Sequence, residues 1–226
     1  MTDSQSPGSS PAAREESREE RKAQSRRRIL ESAREVFFRD GFMAANLDEV
    51  ADKAGVAKGT LYRYFDSKAD LYVAVLADNG KSFTDRMREV ATSGTSASEA
   101  LNALSRFYLD HWLSHKEYFQ IFWAIENQSV IGELPPAVVD EVSRLWEESL
   151  SILEGVLADG VARREFIDCD TWRTSNILWT VANAVIQSDS TEARRTLRRG
   201  PLQDMYDETL ALIIAGLKHP DFEAPA

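Results

Sequence analysis

Eight residues in the N-terminal third of the chain carry groups suited to the grooves and phosphates of duplex DNA: Asn46, Lys58, Gly59, Thr60, Tyr62, Arg63, Tyr64 and Lys68. An arginine guanidinium pairs with both acceptors of a guanine edge, so Arg63 is the first candidate for reading a base, with Thr60 beside it. Lys58, Tyr64 and Lys68 suit phosphate oxygens, which fix register rather than sequence. Gly59 lets the backbone come close. Tyr62 either meets a thymine methyl or lies partly in a core. Asn46, at the start of a helix, offers its amide together with the exposed N–H groups there.

Such groups act only when short helices hold them at a fixed angle. Ile29, Leu30, Ala33, Val36 and Phe37 fall on one face of a first helix, preceded by Arg26, Arg27 and Arg28 and ended at Gly41. A second helix starts at Asn46. Asn46 and Glu49 have the spacing of a capping box, and Leu47, Val50, Ala51 and Ala54 form its buried stripe. Gly55 permits a sharp turn with positive φ. A third helix, about Lys58 to Tyr64, is too short to stand alone and needs Val56, Leu61 and Phe65 as anchors. Ser67 caps a fourth that runs to about Val90, with Leu71, Val75 and Met87 facing inward.

The segment from Arg28 to Leu71 resembles the N-terminal DNA-binding domain of the TetR family of bacterial transcriptional regulators. The matching pieces are Ile29 to Phe42, Leu47 to Val56, Lys58 to Phe65 (KGTLYRYF) and Ser67 to Leu71, in order and with the family's gaps. The resemblance implies an all-α chain: a disordered tail over 1–20, a helix-turn-helix domain over 21–67, and a helical effector-binding and dimerisation domain over 68–226. It assigns base and phosphate contact to the same eight positions and places Arg26 to Arg28 near DNA. Two departures stand out. Ala57 occupies a position where the family usually has a hydroxyl residue that caps the recognition helix, a loss of about 1 kcal/mol. Ala45-Asn46 replaces the usual Thr-Thr.

The net charge of −10 is unevenly spread. Residues 21–75 hold 11 basic and 8 acidic groups, whereas 76–226 hold 14 and 24. A basic reading head on an acidic body is compatible with DNA binding. No run approaches a membrane span of about 20 apolar residues, the first 20 residues have no signal-peptide core, and Cys169 is the only cysteine. A cytoplasmic location is expected. Nucleophile elbow, phosphate loop and dinucleotide glycine motifs are absent from the sequence, so neither catalysis nor a cofactor is expected. His111 and His115 are four apart, a spacing that permits a shared metal, but no third ligand accompanies them.

Beyond residue 98 the periodicity is helical throughout, with helices expected at about 98–114, 116–130, 136–164, 171–188 and 201–218. The last two carry more apolar residues than one inward stripe needs: Trp172, Ile177 and Val181 on one, Met205, Ile213 and Leu217 on the other. The resemblance makes these the homodimer seam, and a dimer would set two recognition helices about one DNA turn apart. It also implies an unknown small-molecule effector among the middle helices. Tyr108, His111, Trp112, Phe122, Trp123, Glu126, Asn176 and Asn183 are the candidates, which points to an apolar or aromatic ligand. The expected function is a repressor released from an operator by that ligand, with the helix starting at Lys68 as lever. The competing readings are a regulator responding to a protein or oxidant, and a helical interaction protein that does not read DNA.

Overall fold

The computed structural model describes residues 11–116 and 135–221, with side chains from Arg18 onward. Among these residues the chain is helical, and the only β contact is an isolated bridge between Phe166 and Lys218. It divides into two compact units between Leu76 and Ala77.

The first unit comprises α1 (Pro11–Ala44), α2 (Leu47–Ala54), α3 (Lys58–Leu61) and the opening turns of α4 (Lys68–Ala91). Its core is built from the expected stripes: Ile29, Ala33, Val36 and Phe37 of α1 meet Val50, Ala51 and Ala54 of α2 and Leu61, all buried. Gly41 departs from helical geometry at φ 75°, which breaks α1 where the sequence ends it. Three rings then lock the corner: Phe37 packs edge-on against Tyr72 at 4.7 Å, and Phe42 lies 5.1 Å from Tyr72. Leu71, Tyr72 and Val75 of α4 are buried. The unit boundary therefore falls inside α4, not before it at residue 67.

Two more boundaries differ from expectation. The tail expected over 1–20 is helical from Pro11, because its Arg, Glu and Ala residues are strong helix formers that extend a packed helix. The recognition helix closes at Leu61 and not at Tyr64. Tighter i→i+3 bonds follow, from Arg63 N to Thr60 O and Tyr64 N to Leu61 O. They turn Phe65 back into the core, where it is 5% exposed.

The second unit packs the rest of α4 with α5 (Ala97–Ser114), α6 (Pro136–Ala162), α7 (Thr171–Gln187), α8 (Glu192–Arg198) and α9 (Leu202–Leu217). Helix α5 contacts α6, α7 and α9, and α7 contacts α6 and α9. The expected helix at 116–130 lies almost wholly outside the described residues. Helix α8 was not legible in the sequence; it has no buried residue and follows a short 3-10 turn over Ser188–Ser190. Ser96 caps α5 and Asp170 caps α7, each accepting a backbone N–H three residues on.

The connector between α6 and α7 ties three helix ends together. Glu165 is 2% exposed. Its two carboxylate oxygens accept the N–H groups of Ala97 and Ser98, both at 2.7 Å, at the start of α5. Ile167 N donates to Leu217 O and His219 N to Glu165 O at the end of α9. At Gly160 of α6 a Cβ would stand 2.2 Å from the Phe166 ring and 2.8 Å from Ala97 Cβ, so only glycine allows this approach.

Candidate nucleic-acid interface and internal cavity

Helices α2 and α3 form a helix-turn-helix whose corner is fixed by backbone chemistry. Gly55 adopts a left-handed conformation (φ 64°, ψ 40°), and its N–H returns to Ala51 O and Asp52 O. Asn46 has extended backbone and accepts Asp48 N at 2.9 Å, so its carbonyl oxygen caps α2 while its amide N–H₂ remains a donor. The capping box is not completed. Glu49 instead turns to Arg39 of α1, at 2.7 Å, and Arg39 also grips Asp40 at 2.6 Å. These bonds to Arg39 hold both carboxyls below the usual carboxylate range. Lys53 to Glu35, at 2.9 Å, makes a second tie between α2 and α1.

The recognition helix opens at Ala57, extended at φ −68° and ψ 146°, with no side-chain cap. The exposed groups at and after this start are Lys58, Gly59, Tyr62 and Arg63, with Thr60 and Tyr64 half-buried. Nothing stands within 4 Å of where a Cβ would sit on Gly59. Tyr62 is 43% exposed, which places it on the outer face and not in the core. Lys58 pairs with Asp48 at 2.6 Å, and that partner raises its pKa. Both side chains are more than half exposed, so the pair is weak enough to exchange for a phosphate. Lys68 is more committed. Its ammonium donates to Met43 O at 2.9 Å and lies 5.3 Å from the centre of the Phe42 ring, and burial lowers its pKa. Ala45 is buried, so its methyl fits where a hydroxyl would need a partner.

The second unit contains a cavity of about 50 Å³. Its wall is apolar: Met87 of α4, Leu101 and Leu104 of α5, Leu150 and Leu153 of α6, Leu178 and Ala182 of α7, Leu210 and Ile214 of α9. Tyr108, Trp179 and Tyr206 add aromatic surface, and Ser105 and Ser149 the small polar component. The Tyr108 hydroxyl donates to Asn183 Oδ1 at 2.7 Å. Burial pushes the hydroxyls of Tyr108 and Tyr206 above the ordinary tyrosine range.

Of the expected effector residues, the structure brings Tyr108 to the cavity with Asn183 behind it. His111 and Trp112 instead form a ring cluster around Phe83, at 4.6 and 5.9 Å. His111 stacks on His115 at 4.5 Å, and burial together with His115 pushes its pKa down to about 4. Asn176 is not a cavity residue; its amide donates to Trp172 O on its own helix. Phe122, Trp123 and Glu126 lie outside the described residues. Sequence reasoning missed Ser105, Ser149, Trp179 and Tyr206 as cavity residues. Tyr206 carried one usable signal, a ring at a buried position of an otherwise aliphatic stripe.

An α-helical helix-turn-helix unit joined to a helical unit with an internal apolar cavity defines a class of regulators that bind DNA. Residues 29–75 match the family profile of bacterial regulatory proteins, tetR family. These residues therefore carry the N-terminal DNA-binding domain of that family, of the helix-turn-helix type. It is 38% identical over 93 residues to the HTH-type transcriptional activator FasR of Mycolicibacterium smegmatis (strain ATCC 700084 / mc(2)155), a match spanning 41% of each chain. To the fatty acid metabolism regulator protein of Bacillus subtilis (strain 168) it is 25% identical over 142 residues, 61% of this chain and 68% of that one. The solved structure of FadR from Bacillus subtilis in complex with stearoyl-CoA shares the fold, with a TM-score of 0.67 at 20% identity, over 84% of this chain and 98% of that one.

Proposed function

We propose that this protein is a ligand-responsive repressor that binds a pseudo-palindromic operator as a homodimer and releases it when a long apolar chain, of the fatty-acyl class, enters the second unit. The observation that carries this reading is the lining of the cavity: an almost wholly aliphatic and aromatic wall with no charged residue. A predominantly hydrophobic and aromatic lining with few polar groups is the usual character of small-molecule sites. The sequence relationship to a fatty acid metabolism regulator and the stearoyl-CoA complex of a protein of the same fold support the same class.

Arg63 and Thr60 read base edges in this proposal, and Lys58, Tyr64 and the amide of Asn46 hold phosphates. Tyr62 adds an apolar contact and Gly59 the close backbone approach. Lys68 sets register through its hold on the Met43 carbonyl. Helix α4 runs unbroken from Lys68 to Ala91 and contributes Tyr72 to the first unit's core and Met87 to the cavity wall. It is the element through which a ligand would bias the reading head. A hundredfold loss of operator affinity needs about 2.7 kcal/mol of such coupling.

The dimer is supported by apolar surface left open on α7 and α9, where Ile177 is 50% and Leu212 70% exposed. Beside them lie the exposed small residues Ala184, Ala211 and Ala215, which allow close helix packing. Leu212→Glu should turn a dimer into a monomer in sedimentation equilibrium; an unchanged mass would remove this seam. Such a regulator works in the cytoplasm, and no described helix is long and apolar enough to cross a membrane.

The effector reading is tested by thermal unfolding with acyl-CoA thioesters of increasing chain length and with choline, a quaternary ammonium that the aromatic trio could hold by cation–π attraction. Long acyl chains should stabilise the protein and release operator DNA, and a saturating ligand at a hundredfold excess over its Kd adds about 2.7 kcal/mol. Stabilisation by choline alone would overturn the acyl reading.

A further inference from the structure

Helix α8 has no place in the core of its unit, since none of its residues is buried. Four arginines, Arg194, Arg195, Arg198 and Arg199, crowd its length and its exit against one acid, Glu192. Two of them fasten it. Arg198 pairs with Asp189 at 2.9 Å and donates to Gly200 O, and Arg195 donates to Asp189 O. The other two are uncommitted: Arg194 and Arg199 are exposed, and among the described residues no hydrogen bond or ion pair engages either. Arg199 is also strained. Its backbone is left-handed (φ 56°, ψ 26°), which costs a residue with a Cβ and which glycine adopts freely, yet the glycine stands one place later, at 200. Leu197, three residues from Arg194 and on the same side of the helix, is 78% exposed. Arginines and an apolar side chain together on a fastened helix suit a protein surface.

The first turns of α9 carry the opposite charge. At 100° per residue, Asp204, Asp207 and Glu208 share an arc of about 140° with Ala211, Leu212 and Ala215, and all six are exposed. The carboxylates thus lie on the face that bears the dimer seam, at its Leu202 end, and α9 has no basic residue to offset them. From Thr171 to Leu217 the only basic residue outside the four arginines is Arg173, at the other end of α7. Within the protomer, among the described residues, no ion pair joins those arginines to these acids, and Asp207 instead accepts the Gln203 amide at 3.0 Å. Carboxylates closed into an interface without a cationic partner are costly.

We propose that α8 is a basic clasp between two copies of this chain, in which Arg194 and Arg199 of one protomer pair with the partner's Asp204 and the partner's Glu208, and Leu197 covers the contact. Only Gly200 and Pro201 separate Arg199 from α9, so the basic and acidic patches stand at one end of the unit. A two-fold axis running along α7 and α9 brings that end of both protomers together, and symmetry makes the clasp twice. Complementary charge of this kind fixes register and rejects other partners. The inference rests on the homodimer reading of α7 and α9 and adds what selects the pair.

The test uses the full-length protein as native chain, as R194E/R199E and as D204R/E208R, followed by fluorescence-detected sedimentation. All four positions are exposed, so both variants should keep the native far-UV circular dichroism. Each variant alone sets like charge against like across the two-fold axis. Its dimer Kd should exceed the native value by about tenfold or more at about 50 mM salt, and the gap should narrow at about 1 M. Mixed one to one, the two variants should form a heterodimer of near-native Kd, because each clasp then meets its opposite. Pairing within a protomer gives no rescue on mixing, since each variant carries its own mismatch. Absence of rescue, or variants that dimerise as tightly as the native chain, would overturn the clasp and leave the seam standing. Native-like dimers with weakened operator binding would likewise overturn it and place α8 on DNA. A native chain that stays monomeric would overturn the seam and the clasp together.

Discussion

The uncapped recognition helix offers a gain-of-function prediction. Ala57 stands at the N-cap of α3 with extended backbone (φ −68°, ψ 146°), the conformation that a capping serine takes. Of the amides at this end, Thr60 N already bonds Ala57 O at 2.8 Å, and Leu61 N bonds it at 3.2 Å. The bond that a new hydroxyl can add is to Gly59 N–H. Ala57→Ser should therefore yield the lower part of the capping range, about 0.5–1 kcal/mol, and not the roughly 2 kcal/mol at its upper end. The helix is four residues long and opens locally, so the gain should appear as a two- to fivefold slowing of amide exchange at Gly59 and Thr60. The hydroxyl also points a donor at the phosphate that approaches the helix start. Operator affinity, by fluorescence anisotropy at fixed salt, should rise about threefold, since one such bond adds near 0.7 kcal/mol. Unchanged exchange at Gly59, or exchange slowed throughout the first unit alike, would refute the capping argument. Slowed exchange with weaker operator binding would show that Gly59 N–H itself holds the phosphate.

Three further outcomes follow from the geometry. Arg63→Ala should relax preference at one base pair and cost about 1–3 kcal/mol of operator affinity, whereas Lys58→Ala should weaken all sequences alike; identical specificity profiles in a binding selection would refute the division of roles. Glu165→Ala removes two bonds to a buried carboxylate and should lower unfolding free energy by about 3 kcal/mol, with Glu165→Gln losing about half as much in denaturant titrations. His111 is held neutral, with its pKa lowered from 6.5 to about 4, so the unfolded chain binds more protons than the folded one in that window. Stability should be full above pH 6.5 and fall as pH drops towards 4, by about 1–2 kcal/mol once solvent screening is allowed for; His111→Phe should flatten that slope in urea titrations at several pH values.

The helix-turn-helix was legible because its determinants are local. Gly55 needs positive φ, Asn46 caps the helix it precedes, and Leu47, Val50, Ala51 and Ala54 declare their face within eight residues. The extension of α1 was misread because a tail rich in Glu, Arg and Ser has the composition of a disordered segment, while its helicity comes from continuing a packed helix. The missing part of the cavity is a tertiary fact. Met87, Ser149 and Tyr206 come from three helices far apart in the chain, and no spacing in the sequence brings them together. Asn176 shows the opposite error: a polar residue at a promising position spends its amide on the carbonyl four residues back. Lys68 could not be read as a strut, because its acceptor is a backbone oxygen at Met43, across a corner that the sequence does not draw.

The knot at Glu165 has a mechanical consequence for the cavity. It clamps the start of α5, the end of α6 and the end of α9 to one connector, so three of the wall helices share a fixed root. Staves bound at one hoop splay most at the opposite rim. Any swelling of the chamber on ligand entry should then grow with distance from Glu165 and be greatest towards Ser114 on α5 and Leu202 on α9. Gly160, which admits no side chain against Phe166, keeps that hoop tight. A spin-label pair placed near the root should hold its separation on ligand binding, while a pair near the rim should move apart.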